Sequence, residues 1–380
     1  MKIELAKEIK IPSAALGLST IQKSHDLLVS CFDGSVLKLN PVNESWESIA
    51  KHSSYASGVG SCLHGKLAVS AGYDGIIQWH DLQIGKTISV EKIHDFWSWQ
   101  MKVSPNTEWV ASVTGQYKCG GYKYEPAPEK EPSIKVFDAK TQKLAHSFPH
   151  LPPVLSVGFS PDSRHLAAAN MMGDIKIWNI ESGECIREWN TPDFTSWGII
   201  KSHHYIGGIF DLSFSPDSNR LITCGMGPMR DPMAGNGKQT WQEFDWSNDK
   251  PVKTREIEDS ERGRGLMETL CFHPASKAFC MAGRMAQGNW NTALFSSETG
   301  KLIQGIDNKT RITRSAFSPD GKKLILAGAK SQGSPKKGKW SEFGRIHRSI
   351  KPGARSPYYR ARQRGGPGQS GKCNRARPPQ

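Results

Sequence analysis

Nine tryptophan and tyrosine side chains, two arginines and an adjacent pair of histidines fall in six stretches that interrupt an otherwise regular 380-residue pattern. The stretches are residues 93–100, 115–132, 191–208, 225–239, 283–291 and 328–342. They carry Trp97, Trp99, Tyr117, Tyr122, Tyr124, Trp197, Tyr205, Trp290 and Trp340, with Arg230, Arg284, His203 and His204. Trp, Tyr and Arg are the residue types that carry most of the energy at protein interfaces, because each joins a large apolar area to a polar tip. The chemistry they support is therefore partner binding, with Trp97, Trp99, Tyr122, Tyr124, Trp197, Arg230, Arg284 and Trp290 as the candidate contacts. The alternative for any one ring is that it packs its loop onto the strand ends below.

Catalysis fits the same residues poorly. His203-His204 with His94 and Asp95 would be the start of a metal cluster, but adjacent residues of an extended chain point to opposite sides. The sequence has no H-E-x-x-H, G-x-S-x-G or phosphate-binding P-loop. Gly225-Met226-Gly227-Pro228-Met229 is glycine-rich, yet no helical pattern follows it to hold a phosphate. The eight cysteines form no C-x-x-C pair and sit mostly in apolar, strand-like runs such as Leu221-Ile222-Thr223-Cys224, as reduced core thiols do. The expectation is no catalytic residue, no metal and no cofactor.

The elements that must position these residues repeat. Phe159-Ser160-Pro161-Asp162, Phe214-Ser215-Pro216-Asp217 and Phe317-Ser318-Pro319-Asp320 are three copies of one turn. Val103-Ser104-Pro105-Asn106 and Phe272-His273-Pro274-Ala275 are worn copies. A short strand follows each, then a Gly or Asp-Gly turn and a second alternating run, as in Asp74-Gly75-Ile76-Ile77-Gln78-Trp79 and Gly173-Asp174-Ile175-Lys176-Ile177-Trp178. The period of two marks half-buried strands, and Asp-Gly suits the tight turns between them. Each unit reads as four strands joined by turns.

In the four-strand unit, the Ser-Pro-Asp turn and the Asp-Gly…Trp strand, residues 1–350 resemble the WD-repeat family of β-propellers. Trp178-Asn179, Phe137-Asp138 and Trp79-His80-Asp81 stand where that family has Trp-Asp. Seven units are counted, with third strands near 35–40, 75–80, 133–138, 174–179, 240–246, 290–295 and 343–349. The fold class is then all-β: a seven-bladed β-propeller of four-stranded antiparallel blades, followed by a disordered basic tail. At about 50 residues each, the units exceed the 40–45 or so of a lean repeat, and the surplus lies in the six stretches above. The last unit offers only three strands, so residues 2–11 are expected to add its outer strand and close the ring. The resemblance implies that the six stretches crowd one face. It also implies a structural hydrogen-bonded set of His52, Ser70, Asp74 and Trp79 in the second unit. The third unit keeps His94, Ser112 and Phe137 but lacks the turn aspartate.

Charge separates the tail from the body. Residues 331–380 hold 13 Lys/Arg against one acid, Glu342, out of a net charge of +14. Residues 351–380 are rich in Arg, Gly and Pro and cannot bury a core, so they are expected to be disordered. Arginines for phosphates and tyrosines for bases would suit nucleic acid; a solvated extension or non-native coding sequence has the same composition. No apolar run is long enough to span a membrane, and the start, Met1-Lys2-Ile3-Glu4, has no signal-peptide core, so a cytoplasmic location is expected. The favoured function is a non-catalytic scaffold that binds a protein or peptide through its loop-rich face. The alternatives are nucleic-acid association through the tail and, third, an enzyme on the same face.

Overall fold

The computed structural model describes residues 2–115, 129–197, 204–206, 208–228, 237–275, 277–330 and 344–349. The tail beyond residue 350 lies outside them. Alternating runs become strands, and the turns between them are enforced by their own side chains. Ser160 Oγ accepts the His165 amide at 2.9 Å and donates to Asp162, whose Oδ1 accepts the Arg164 amide at 3.0 Å. Pro161 presets the backbone for this bend. Ser104 with Asn106, Ser215 with Asp217 and Ser318 with Asp320 repeat the arrangement. The next residue is left-handed each time, at Thr107, Ser163, Ser218 and Gly321 (φ 65°, 61°, 62° and 66°). In the worn copy His273 replaces the serine, its Nδ1 accepting the Ala275 amide at 3.0 Å.

Six antiparallel sheets each take four consecutive strands. The first blade is Ala15–Thr20, Leu27–Cys31, Ser35–Asn40 and Ser45–Lys51; the second is Ala56–Cys62, Leu67–Gly72, Ile76–Asp81 and Lys86–Lys92. The third is Ser98–Val103, Trp109–Thr114, Ile134–Asp138 and Leu144–Phe148, and the fourth is Val154–Phe159, His165–Asn170, Asp174–Asn179 and Cys185–Asn190. Ile209–Phe214, Arg220–Met226, Gln239–Asp245 and Val252–Glu256 make the fifth; Arg264–Phe272, Ala278–Gln287, Thr292–Ser296 and Leu302–Ile306 make the sixth. A seventh four-stranded sheet is composite: Arg311–Phe317, Leu324–Ala329 and Gly344–Ser349 are completed by Lys7–Ile11 from the chain start. The seven units counted in the sequence thus become six consecutive blades and this closing sheet.

The closing pairing runs from Lys7 against Arg348 to Ile11 against Gly344. It is shorter than the expected 2–11. Ahead of Lys7 the backbone leaves the strand and binds the sixth blade instead: the Ile3 amide donates to Gln304 Oε1 at 2.6 Å, and the Ile3 carbonyl accepts from Gln304 Nε2 at 2.9 Å. Ile9 and Ile11 enter a core shared with Val29, Leu37 and Ile325. Ile3 enters the core between the sixth blade and the closing sheet. Similar cores fill every other gap between neighbouring sheets. The innermost strands crowd together, so small residues are needed there. A Cβ on Gly58 would lie 2.7 Å from Met101 Cβ, and one on Gly158 would lie 2.9 Å from Leu212 Cδ1.

Because strands alternate in direction, the links between blades and the links between second and third strands leave from one face, here called the upper. The Ser-Pro-Asp turns sit on the lower face. One expected upper loop is mostly strand: Ala278–Gln287 absorbs residues 283–287, paired with the unusually long Arg264–Phe272.

Candidate partner-binding face

The upper face carries a continuous run of aromatic rings over the first three blades. Phe32 stacks on Tyr55 with centroids 4.0 Å apart, and Tyr55 leads to Tyr73 at 5.4 Å. Tyr73 lies parallel to Trp97 at 4.8 Å and 5°, and 5.8 Å from Trp99. Phe96 backs Trp97 at 4.5 Å. Such offset stacks contribute about 0.5–1.5 kcal/mol per pair beyond burial. Tyr55 remains 38% exposed, while Trp97 and Trp99 are half-buried.

The run borders a cavity of about 250 Å³ at the upper mouth of the ring. Phe32, Tyr73 and Trp99 form one side; Glu268 and Arg311, from the sixth blade and the closing sheet, form the other. Arg311 Nε and Nη2 donate to the two Glu268 oxygens at 2.7 and 2.8 Å. Burial alone would lower the Arg311 pKa, but the Glu268 carboxylate outweighs it and raises it. A planar, doubly bonded pair of this kind is fixed in orientation as well as charge. Deeper in the ring, fully buried Asp211 accepts the Leu270 amide at 2.9 Å and Gln100 Nε2 at 3.2 Å, with Lys102 Nζ at 3.6 Å. These contacts tie the third, fifth and sixth blades together below the cavity.

Of the expected contact residues, Trp97 and Trp99 come together in the aromatic run. Tyr122, Tyr124 and Arg230 lie outside the described residues, as do Tyr117, His203 and Trp340. Trp197 falls on an extra two-stranded hairpin, Thr195–Trp197 with His204–Ile206, paired with His204. Arg284 is on a strand of the sixth blade, opposite Leu266. Burial and the nearby Arg311 guanidinium lower its pKa against the opposing pull of Glu268. Trp290 needs correcting. It is 4% exposed, packs edge-on to Phe295 in the core between the fifth and sixth blades, and gives its indole N–H to the Glu261 carbonyl at 3.0 Å. A short link between strands draws its ring inward, so it presents no surface to a partner.

Phe32, Tyr55 and Tyr73 escaped the sequence reading. Two of them share a signal that was there to see: Phe32-Asp33-Gly34 and Tyr73-Asp74-Gly75 each place a ring immediately before the Asp-Gly turn.

The structural set in the second blade forms in part. His52 Nδ1 lies 3.1 Å from both Asp74 oxygens, and His52 Nε2 lies 3.0 Å from Ser70 Oγ. Burial would raise the Asp74 carboxyl, but His52 and the Ile76 and Ser53 amides hold it below the usual range. Trp79 does not join. It is opposite Val69, on the other side of the sheet from Ser70, and its indole N–H meets no acceptor. His80, one residue on, takes the place instead, with Nε2 3.2 Å from Ser70 Oγ and Nδ1 3.0 Å from Thr87 Oγ1. Burial, and secondarily His52, pushes its pKa down to about 4. In the third blade His94 Nε2 meets Ser112 Oγ at 2.9 Å, but the missing carboxylate is not replaced: Glu131 stands 3.9 Å from His94 Nδ1, beyond hydrogen-bond reach.

Among the described residues no three His, Cys, Asp or Glu side chains gather as metal ligands, and no helix is long and apolar enough to cross a membrane.

The family model described as WD domain, G-beta repeat matches residues 142–179 and 196–227. The first match runs from the outer strand of the third blade through the third strand of the fourth. Eukaryotic translation initiation factor 3 subunit I from Debaryomyces hansenii is 23% identical over 208 residues, covering 52% of this chain and 53% of that protein. An uncharacterized WD repeat-containing protein from Deinococcus radiodurans is 23% identical over 171 residues, 45% of this chain and 59% of the relative. Striatin-3 from Rattus norvegicus is 30% identical over 95 residues, 24% of this chain and 11% of striatin-3. The match therefore spans little more than half of two of these relatives and a small part of the third.

Proposed function

Because the chain belongs to the WD-repeat family of β-propellers, we propose that it is a non-catalytic cytoplasmic scaffold that seats a protein or peptide on its upper face. The observation that carries this reading is the aromatic run from Phe32 to Trp99, which borders a cavity walled on its other side by the fixed Arg311–Glu268 pair. Stacked rings offer apolar area with little side-chain freedom to lose, and the ion pair offers directional contacts to a backbone or polar side chain. Tyr122, Tyr124, Trp197 and Arg230 join this face as further contacts in the proposal; Trp290 does not. One relative is named as a subunit of an initiation factor, which suits a propeller that works within an assembly.

The test is selection of linear peptides on the whole protein, followed by affinity measurement on Tyr73→Ala. Binding should weaken about 30-fold, as for a hot-spot ring, with the fold retained by circular dichroism. Unchanged affinity in the folded variant would place the partner elsewhere.

A second reading rests on the charge of residues 331–380, where 13 basic residues face one acid. There residues 351–380 act as a basic arm on RNA or DNA. Removing them should abolish a salt-sensitive interaction; no binding by the full chain at low salt would end this reading.

A further inference from the structure

The sixth blade places two thiols directly opposite one another. Cys271 on Arg264–Phe272 is the register partner of Cys280 on Ala278–Gln287. The hydrogen-bond alternation fixes the type of pair. The His273 amide bonds across to the Ala278 carbonyl at 2.9 Å, whereas the Leu270 amide turns away to Asp211 at 2.9 Å. Stepping by two from His273 makes Cys271 and Cys280 a hydrogen-bonded pair, whose Cα atoms stand about 5.5 Å apart. That lies inside the roughly 4.4–6.8 Å Cα span of disulfides, while the Cβ atoms of such a pair stand about 5.5 Å apart, so closing the bond draws the two strands together locally by about 1 Å. Both side chains face the core between the sixth blade and the closing sheet.

The two differ in access. Cys280 is fully buried, and the adjacent Cys271 thiol together with burial holds its pKa well above the usual thiol range. Cys271 is half-buried and borders a cavity of about 530 Å³ at the lower mouth of the ring, beside Ser315 and Phe317. A small reagent entering there meets Cys271 first and finds Cys280 behind it.

We propose that Cys271 and Cys280 form a reversible dithiol–disulfide site that reacts with hydrogen peroxide through the lower mouth. The Cys271 sulfur attacks a peroxide oxygen, the O–O bond breaks, and sulfenic acid and water form. The Cys280 sulfur then attacks the sulfenic sulfur, the S–OH bond breaks, and a second water leaves with the Cys280 proton. Two thiols are oxidised and one peroxide is reduced. Cys280 is a weak nucleophile by its pKa, but it is held in contact, and proximity offsets the low thiolate fraction. The bond would staple an innermost strand to its neighbour; a low-molecular-weight thiol reverses it.

Treating the full chain with hydrogen peroxide, alkylating under denaturing conditions and digesting with trypsin tests this. Cleavage after Lys277 separates the two cysteines, so the bond appears as two peptides joined and two hydrogens lighter. It should vanish on dithiothreitol and never form in Cys271→Ser. Exposed Cys185 on the fourth blade serves as the internal control. Oxidation at Cys185 with Cys271 and Cys280 both alkylated, or Cys271 carried to sulfinic acid while Cys280 stays unlinked, would overturn the proposal.

Discussion

The two faces of this ring are built on opposite rules. On the lower face Ser104, Ser160, Ser215 and Ser318 make the same turn four times, down to the left-handed residue that follows the acid or amide. On the upper face the links differ from blade to blade: Phe32 and Tyr73 precede tight Asp-Gly turns, Glu131 ends a long insertion, and Trp197 lies on an added hairpin. Repetition below keeps neighbouring blades in register. Above, the links that depart from the repeat include those that bring Phe32, Tyr73 and Trp99 to the mouth.

The sharpest way to break that contrast is to open the ring that both faces share. Removing residues 2–11 deletes Ile3, Ile9 and Ile11, each at most 5% exposed, and leaves an unpaired edge. At about 1.5–3 kcal/mol per buried side chain the loss is on the order of 5 kcal/mol, a large part of a domain's stability. A denaturant midpoint should fall steeply, and partner binding should fail with it. Next comes Tyr73→Ala, for which the about 30-fold loss of affinity should come with about 2 kcal/mol of destabilisation from its three ring contacts. Ser160→Ala or Ser215→Ala should lower stability alone. Each removes the acceptor of a turn amide and costs about 1 kcal/mol by urea unfolding, with affinity unchanged. If a turn serine moved affinity as much as Tyr73, the division of labour would be wrong.

The two faces should also differ in acid sensitivity. His94 and His150, on the upper links, are pushed down by burial to about 3 and about 4. They ionise near 6.5 in the unfolded chain, so the stability tied to their neutral forms is complete above pH 6.5 and is lost as pH falls towards 4. Below, burial works against ionisation at Asp162 and Asp217, yet the serine hydroxyls and turn amides outweigh it; at Asp320 the Ser318 hydroxyl leads. Their stabilisation is present above about pH 3.9 and is lost only below it. Melting temperature should therefore fall in two windows. His150→Phe should flatten the upper one, and Asp162→Asn with Asp217→Asn the lower one. Asn106 already fills that position in the third blade, so the amide fits the turn.

Most strands were legible because a period of two, punctuated by Ser-Pro-Asp and Asp-Gly, leaves little freedom: the third strands fall within two residues of their expected places. Side-chain direction was less legible. Trp79 and His80 are neighbours, and one step along a strand exchanges the faces, so the aromatic residue drew attention that belonged to the imidazole. Trp290 has the composition of a contact residue, but only the shortness of its link shows that it must turn inward. The Phe32–Tyr55–Tyr73–Trp97 run joins residues from three blades, and no local pattern announces contacts between such distant positions.

The closing sheet also sets a timetable for biogenesis. Lys7–Ile11 leaves the ribosome early, but its partner Gly344–Ser349 is made more than 300 residues later. At about 5–20 residues per second that is a wait of roughly 15–70 s. Through it the nascent chain carries an unpaired strand edge with two isoleucines that have no core to enter. The clasp that seals the finished ring is thus a hazard while the ring is being made, and a chaperone that shields the first strand would act during this interval.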